Sequence, residues 1–169
     1  MTRKPMIASA ACAAFLLTLA ACGDTAEAPA PAPDQASSEE SPGNVIELRQ
    51  ANFEAMGDAF KAIRGQLEGD APDFAVIEES AQAIGARISA NKDLFPEGTG
   101  IDSGADTEAL EVIWEKPEDF AESADKLIAA SEALAAAAAS QDLGAVQQAV
   151  KNLGGSCKAC HDVFRLDKD

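Results

Sequence analysis

The sequence predicts an all-α protein, an antiparallel four-helix bundle with one long crossover loop. Three observations carry that prediction. Apolar residues recur three and four apart in four separate segments, the spacing that lines one face of a helix. Short links at 68–72 and 140–142 join these segments in pairs, and a longer stretch, 91–116, joins the pairs to each other. No segment alternates apolar and polar residues as a half-buried strand does.

The first helix is expected over about 45–67, with Asn44 placed to cap it. Its seam is Ile46, Arg49, Phe53, Met56, Phe60, Ile63 and Leu67, and Arg49 is its one charged member. The second, about 73–90, carries Phe74, Ile77, Ala81, Ile84 and Ile88 behind Pro72, which suits a helix start. In the crossover, Phe95-Pro96-Glu97-Gly98-Thr99-Gly100 is turn chemistry. A loop of that length is usually functional or packed by its own apolar residues. Ile101, Leu110, Ile113 and Trp114 can do that packing, with a helical turn expected at 108–114. Trp114 reads as loop core rather than an electron conduit.

The third helix starts near Pro117 and carries Phe120, Ala124, Leu127, Ser131, Leu134 and Ala138. Its alanine run at 135–139 has high helix propensity and little bulk, so a neighbour can approach closely. Asp142 is a good N-cap for the fourth helix. That seam is Leu143, Val146, Val150, Leu153, Cys157, Cys160 and Phe164.

The N-terminus is not part of the bundle. Arg3 and Lys4 precede an apolar run at 8–18, too short to span a membrane as a mature helix, so residues 1–21 read as a secretory signal peptide. Leu19-Ala20-Ala21-Cys22 also resembles the lipobox of bacterial lipoproteins, in which Cys22 would become the lipidated first residue; the alternative is a plain cut near Ala21 with Cys22 incidental. A lipid would anchor the protein at a membrane face without a transmembrane helix. Residues 22–43, with four prolines and a Ser-Ser-Glu-Glu run, contain little to bury and read as a flexible tether, leaving 44–169 for the bundle. Loss of Arg3 and Lys4 takes the formal charge from −16 to −18. That balance argues against nucleic acid and against docking on anionic lipid, and it favours a partner with a basic patch, although solubility alone explains it equally well.

The chemistry lies on the fourth seam. Cys157-Lys158-Ala159-Cys160-His161 fits Cys-x-x-Cys-His, the attachment signal of a c-type haem. Thiols three apart, and an imidazole four after the first, leave one side of a helix. There the thiols can add across the porphyrin vinyl groups while the imidazole reaches the iron. A structural zinc site would need four ligands, but His161 is the only histidine, Cys12 falls in the signal segment and Cys22 at the lipidation site. A thioredoxin-like Cys-x-x-Cys wants a preceding strand, and the residues before Cys157 are helical in pattern. One covalently bound haem c is therefore expected on a periplasmic protein, with no cysteine left over for a disulfide. Gly154 and Gly155 sit inside the same helix at about 1 kcal/mol each; they either clear room for the porphyrin or kink the helix mildly.

His161 takes one axial position on the iron. Met1 and Met6 leave with the signal, so the other position belongs to Met56 or to no protein residue of the usual kinds. A Met/His pair suits electron transfer, whereas an open position suits a diatomic ligand.

Several motifs carry a resemblance. Arg49-Gln50-x-x-Phe53-x-x-Met56-Gly57, Phe95-Pro96-x-Gly98-Thr99, Ile113-Trp114, and Val150-x-x-Leu153-Gly154-x-Ser156-Cys157-Lys158-Ala159-Cys160-His161-Asp162-x-Phe164-Arg165 are similar to cytochrome c-prime, the class II c-type cytochromes. The resemblance covers about 45–169. It implies a four-helix bundle, in many members a homodimer through the first two helices, and a five-coordinate iron that binds NO and CO. It places the distal residue at Phe53, whose ring would cover the open face and offer no hydrogen bond, favouring small neutral ligands over oxygen; plain core packing is the alternative. It matches Met56 to a methionine that packs beside the haem, although some relatives use a first-helix Met as sixth ligand. It pairs Arg49 with a haem propionate, where a salt bridge to a Glu is the alternative. Arg165, four after His161, is expected on the same helix face near the proximal imidazole, where the resemblance gives it an influence on that ligand and a merely exposed terminal arginine is the alternative; Lys158 is expected to face solvent.

Two functions follow: a binder of NO and CO, and a one-electron carrier serving redox partner proteins. A peroxidase or NO reductase would want a distal acid–base group such as histidine, and the sequence has no second histidine to supply it.

Overall fold

Asp73 and Asp142 open two helices by the same device. Each side chain accepts from backbone amides that a first helical turn leaves unpaired, Asp73 from Ala75 and Val76, Asp142 from Ala145. A computed structural model describes residues 42–167. Its elements are α1 (Pro42–Leu67), α2 (Phe74–Asn91), a 3-10 turn (Ile101–Ser103), α3 (Val112–Glu115), α4 (Pro117–Ala139) and α5 (Leu143–Phe164). The four long helices form the expected antiparallel bundle. Among the described residues there is no strand, only an isolated bridge between Ala109 and Arg165. None of these helices is long and apolar enough to cross a membrane. The signal segment 1–21, Cys22 and all but the last two residues of the 22–43 tether lie outside the described residues.

α1 starts earlier than expected. Pro42 occupies its first turn, where a missing N–H costs nothing, and Asn44 lies within the helix rather than capping it.

α1 packs along α2, α2 along α4, and α4 along α5. Ile63, Ile77, Ile84, Leu134, Val146 and Leu153 fill the centre, each almost free of solvent and worth about 1.5–3 kcal/mol when fully buried. α2 and α4 come close where Gly85 meets Ser131: a Cβ on Gly85 would stand 3.4 Å from that of Ser131. The buried Ser131 hydroxyl donates to Leu127 O at 2.8 Å, so the close approach leaves no polar atom stranded.

The crossover is packed by its own apolar residues. Ala109 and Ile113 join Phe120 and Phe164 in a second cluster, with Phe95 and Trp114 against it. Trp114 is loop core, its indole N–H donating to Phe95 O at 2.9 Å. The helical turn forms later than expected, as α3, because residues 108–110 pair in extended fashion with the chain leaving α5. Leu110 N donates to Phe164 O at 3.1 Å and Leu166 N to Glu108 O at 2.8 Å. The end of α5 is thereby tied to the crossover.

Candidate functional site

α1 and α5 would close the ring of helices, but they do not pack along each other. A cavity of about 660 Å³ lies between them, within the usual range for a cofactor site. From α5 it receives Cys157, Cys160, His161 and Phe164; from α1, Arg49, Phe53, Met56 and Phe60; from α2, Ile84 and Ile88. The crossover adds Phe95, Thr107, Glu108 and Ala109, and α4 adds Phe120, Ala124 and Leu127. The residues singled out on the first and last helices thus meet at one place.

Both thiols are half-buried and unbonded to each other. Burial pushes both upward from their ordinary value, and Cys160, which also feels the charge of Cys157, rises to about 11. The free thiols are therefore protonated at neutral pH. His161 moves the other way. Its half-buried position holds it below the usual imidazole range, the positive charge of Arg165 adds to this, and Asp162 and Glu108 oppose it. A neutral imidazole has a lone pair free to bind a metal. Among the described residues no cluster of three or more His, Cys, Asp or Glu could hold a metal ion by itself. Two thiols and one neutral imidazole opening into an apolar-walled cavity of this size fit a haem.

Arg49 is only 2% exposed, and its partners within the chain are not the Glu that was the alternative to a haem propionate. Nη1 donates to Leu94 O at 3.3 Å and Thr99 Oγ1 at 2.8 Å, while Nη2 donates to Thr99 O and to Thr107 Oγ1 at 2.8 Å. Its Cζ lies 4.6 Å from the centre of the Phe95 ring. Neutral oxygens and an aromatic face therefore hold the cation, in place of a Glu carboxylate. Dispersed acceptors can do this because a guanidinium spreads its charge over several donors. Burial holds Arg49 below its ordinary value. The two threonines are site residues that seam-reading missed. Thr99 had a signal in the turn motif; Thr107 had none.

Arg165 also differs. α5 ends at Phe164, and Arg165 is extended (φ −118°, ψ 135°) rather than one turn further along the helix from His161. Its pairing with Ala109 brings it to the cavity, with Nε 3.8 Å from Glu108 Oε2. Glu108 is a further lining residue that helical periodicity could not reveal.

Phe53 is half-buried, edge-on to Phe95 with ring centres 6.4 Å apart. Met56 is 7% exposed and belongs both to the main core and to the cavity wall. Lys158 faces solvent and pairs with Asp162 at 2.6 Å. Gly154 does not line the cavity; its bare backbone accommodates Phe60, whose Cζ would stand 3.2 Å from an added Cβ. Gly155 meets nothing within 4 Å. Gly154 thus makes room for a side chain of α1.

A Cys-x-x-Cys-His motif opening into the gap of a four-helix bundle defines a c-type haem protein. Residues 44–165 match the Cytochrome C' family, and the chain belongs to that family. It is 40% identical over 126 residues to a cytochrome c' of Pararhodospirillum photometricum, covering 74% of this chain and 98% of that one. Among solved structures it is similar to the cytochrome c prime of Shewanella frigidimarina (TM-score 0.69, 36% identity, 76% of this chain and 98% of that one). It is also similar to a nitric oxide complex of a cytochrome c prime variant from Alcaligenes xylosoxidans (TM-score 0.67, 27% identity, 76% and 98%). The family binds haem c covalently, and the cysteines for it are present here.

Proposed function

We propose that Cys157 and Cys160 hold the haem through thioethers, that His161 is its axial ligand, and that the iron is five-coordinate and binds NO and CO. When bound, the haem supplies a one-electron redox centre and a metal open to small neutral molecules. The observation that carries this reading is the asymmetry of the cavity. The chain's only imidazole comes from α5, while α1 contributes two aromatic rings and a thioether, Phe53, Phe60 and Met56, beside Arg49, Gln50 and Glu54. Phe53 covers the open face and gives a bound ligand no hydrogen bond, which favours NO and CO over more polar ligands. Arg49 and Arg165, both at the cavity, are the cations available to haem propionates and to the proximal side. The nitric oxide complex of the Alcaligenes relative supports the same ligand class.

A ferric absorption spectrum of high-spin type that shifts on adding NO is the expected result. A low-spin spectrum unaffected by NO would overturn it.

One observation favours a second reading. Met56 lines the same cavity, so it is available as a sixth ligand, making a low-spin electron carrier. The far-red charge-transfer band of a methionine–iron bond is its signature. Electron exchange with redox partner proteins belongs to either reading, and the acidic surface suits partners with basic patches. We place the protein in the periplasm, anchored through lipid on Cys22 after loss of 1–21 and dimerising through α1 and α2. The mass of the mature N-terminus tests the anchor, and sedimentation tests the dimer.

A further inference from the structure

A second recess lies between α1 and α5, further from Cys157 and open to solvent. Phe60, Arg64 and Leu67 of α1 and Val150, Lys151 and Gly154 of α5 are among its walls. Phe60 is the residue it shares with the haem cavity. The ring is half-buried and lies against Gly154, where an added Cβ would come within 3.2 Å of its Cζ. One aromatic side chain therefore stands between the outer groove and the inner chamber, on the α1 side and one helical turn beyond Met56.

We propose that Phe60 is a gate, and that neutral diatomic molecules reach the haem from the groove between α1 and α5 when this ring swings aside. The inference rests on the proposed binding of NO and CO. The route suits such ligands, because Phe60, Leu67, Val150 and Gly154 offer no polar group to a passing molecule beyond their backbone. Arg64, Glu68, Gln147 and Lys151 also line the groove, but all four are exposed residues. Rotation of one half-buried ring is a small motion of the kind that gates access to enclosed sites. Gly154 supplies the space that the ring occupies when closed.

A gate differs from a wall of the binding site in its kinetics. A barrier on the path is crossed in both directions, so removing it speeds association and dissociation by the same factor and leaves affinity unchanged. The test is flash photolysis and stopped-flow of CO on the ferrous holoprotein. Phe60→Ala is expected to raise both rate constants about tenfold, with Kd within about twofold of the wild type. Gly154→Ala, which takes part of the space the closed ring occupies, is expected to raise both rates about threefold; it decides the matter if Phe60→Ala fails to fold. Unchanged rates, or a Kd altered through dissociation alone, would overturn the gate. Wild-type protein that binds no CO at all would overturn the gas-binding reading itself, a result the kinetics of the variants cannot mimic.

Discussion

Arg49 reaches Thr99 twice, at its hydroxyl, 2.8 Å away, and at its carbonyl. The same hydroxyl donates onward to Pro96 O at 2.8 Å. A buried cation of the first helix thus fixes the turn that starts the long crossover, and the crossover in turn holds the end of α5 beside the haem cavity. Replacing Arg49 with Leu should leave several buried oxygens unpaired, each costing about 1–3 kcal/mol. We expect a loss of about 3 kcal/mol in urea unfolding of the holoprotein, and Arg49→Lys to recover only part of it, since an ammonium cannot serve the same spread of acceptors. Equal midpoints for Arg49→Leu and wild type would show that the network contributes nothing.

Thr107→Val removes one acceptor of that network with little change in volume: the hydroxyl lies 2.8 Å from Arg49 Nη2 and also accepts, more weakly, from Ala109 N at 3.3 Å. The expected cost is about 1 kcal/mol, read as a lower denaturant midpoint with unchanged slope. A neutral effect would mean that Thr99 and Leu94 hold the guanidinium unaided.

The helices were legible because their apolar spacing is local: Phe74 to Ile88 and Leu143 to Phe164 announce their faces within a few turns. The Cys157-x-x-Cys160-His161 motif was legible because attachment chemistry fixes such a spacing. Arg49 was recognisable as an anomaly on a buried seam, yet its partners were not, since Thr99 and Thr107 lie fifty and more residues away in irregular chain. Arg165 was assigned to a helix face that ends one residue too soon. Its position depends on pairing with Ala109, a long-range contact that periodicity does not encode. The glycines of α5 read as space for a flat ring, and the ring that uses Gly154 belongs to Phe60.

Covalent attachment makes its own prediction. With Cys157 and Cys160 both changed to Ala, haem should no longer stay with the chain in acidified organic solvent. His161→Gly should keep the thioethers and change the spectrum, because the cysteines and the imidazole act independently. Haem still fixed to the double variant would sink the assignment.

Phe53 and Met56 separate covering from ligation. Phe53→Ala is expected to raise CO affinity about tenfold by uncovering the open face, chiefly through association. Met56→Leu, a swap of similar volume, should leave the ferric spectrum unchanged when Met56 only packs. A shift to high spin on losing the thioether would instead favour the six-coordinate electron carrier.

The two adjacent glycines of α5 give the sharpest stability contrast. A Cβ at Gly155 meets nothing within 4 Å, whereas one at Gly154 meets the Phe60 ring at 3.2 Å. Both positions lie inside a helix, where alanine is favoured over glycine by roughly 0.5–1 kcal/mol. Gly155→Ala should therefore stabilise the protein by about that amount. Gly154→Ala gains the same backbone term but must displace an aromatic ring tightly placed between two helices, so its net effect should be near zero or unfavourable. Thermal unfolding of the two holoprotein variants side by side measures the difference directly. Equal stabilisation at both positions would show that Phe60 yields freely, and that Gly154 is not kept small by the ring it faces.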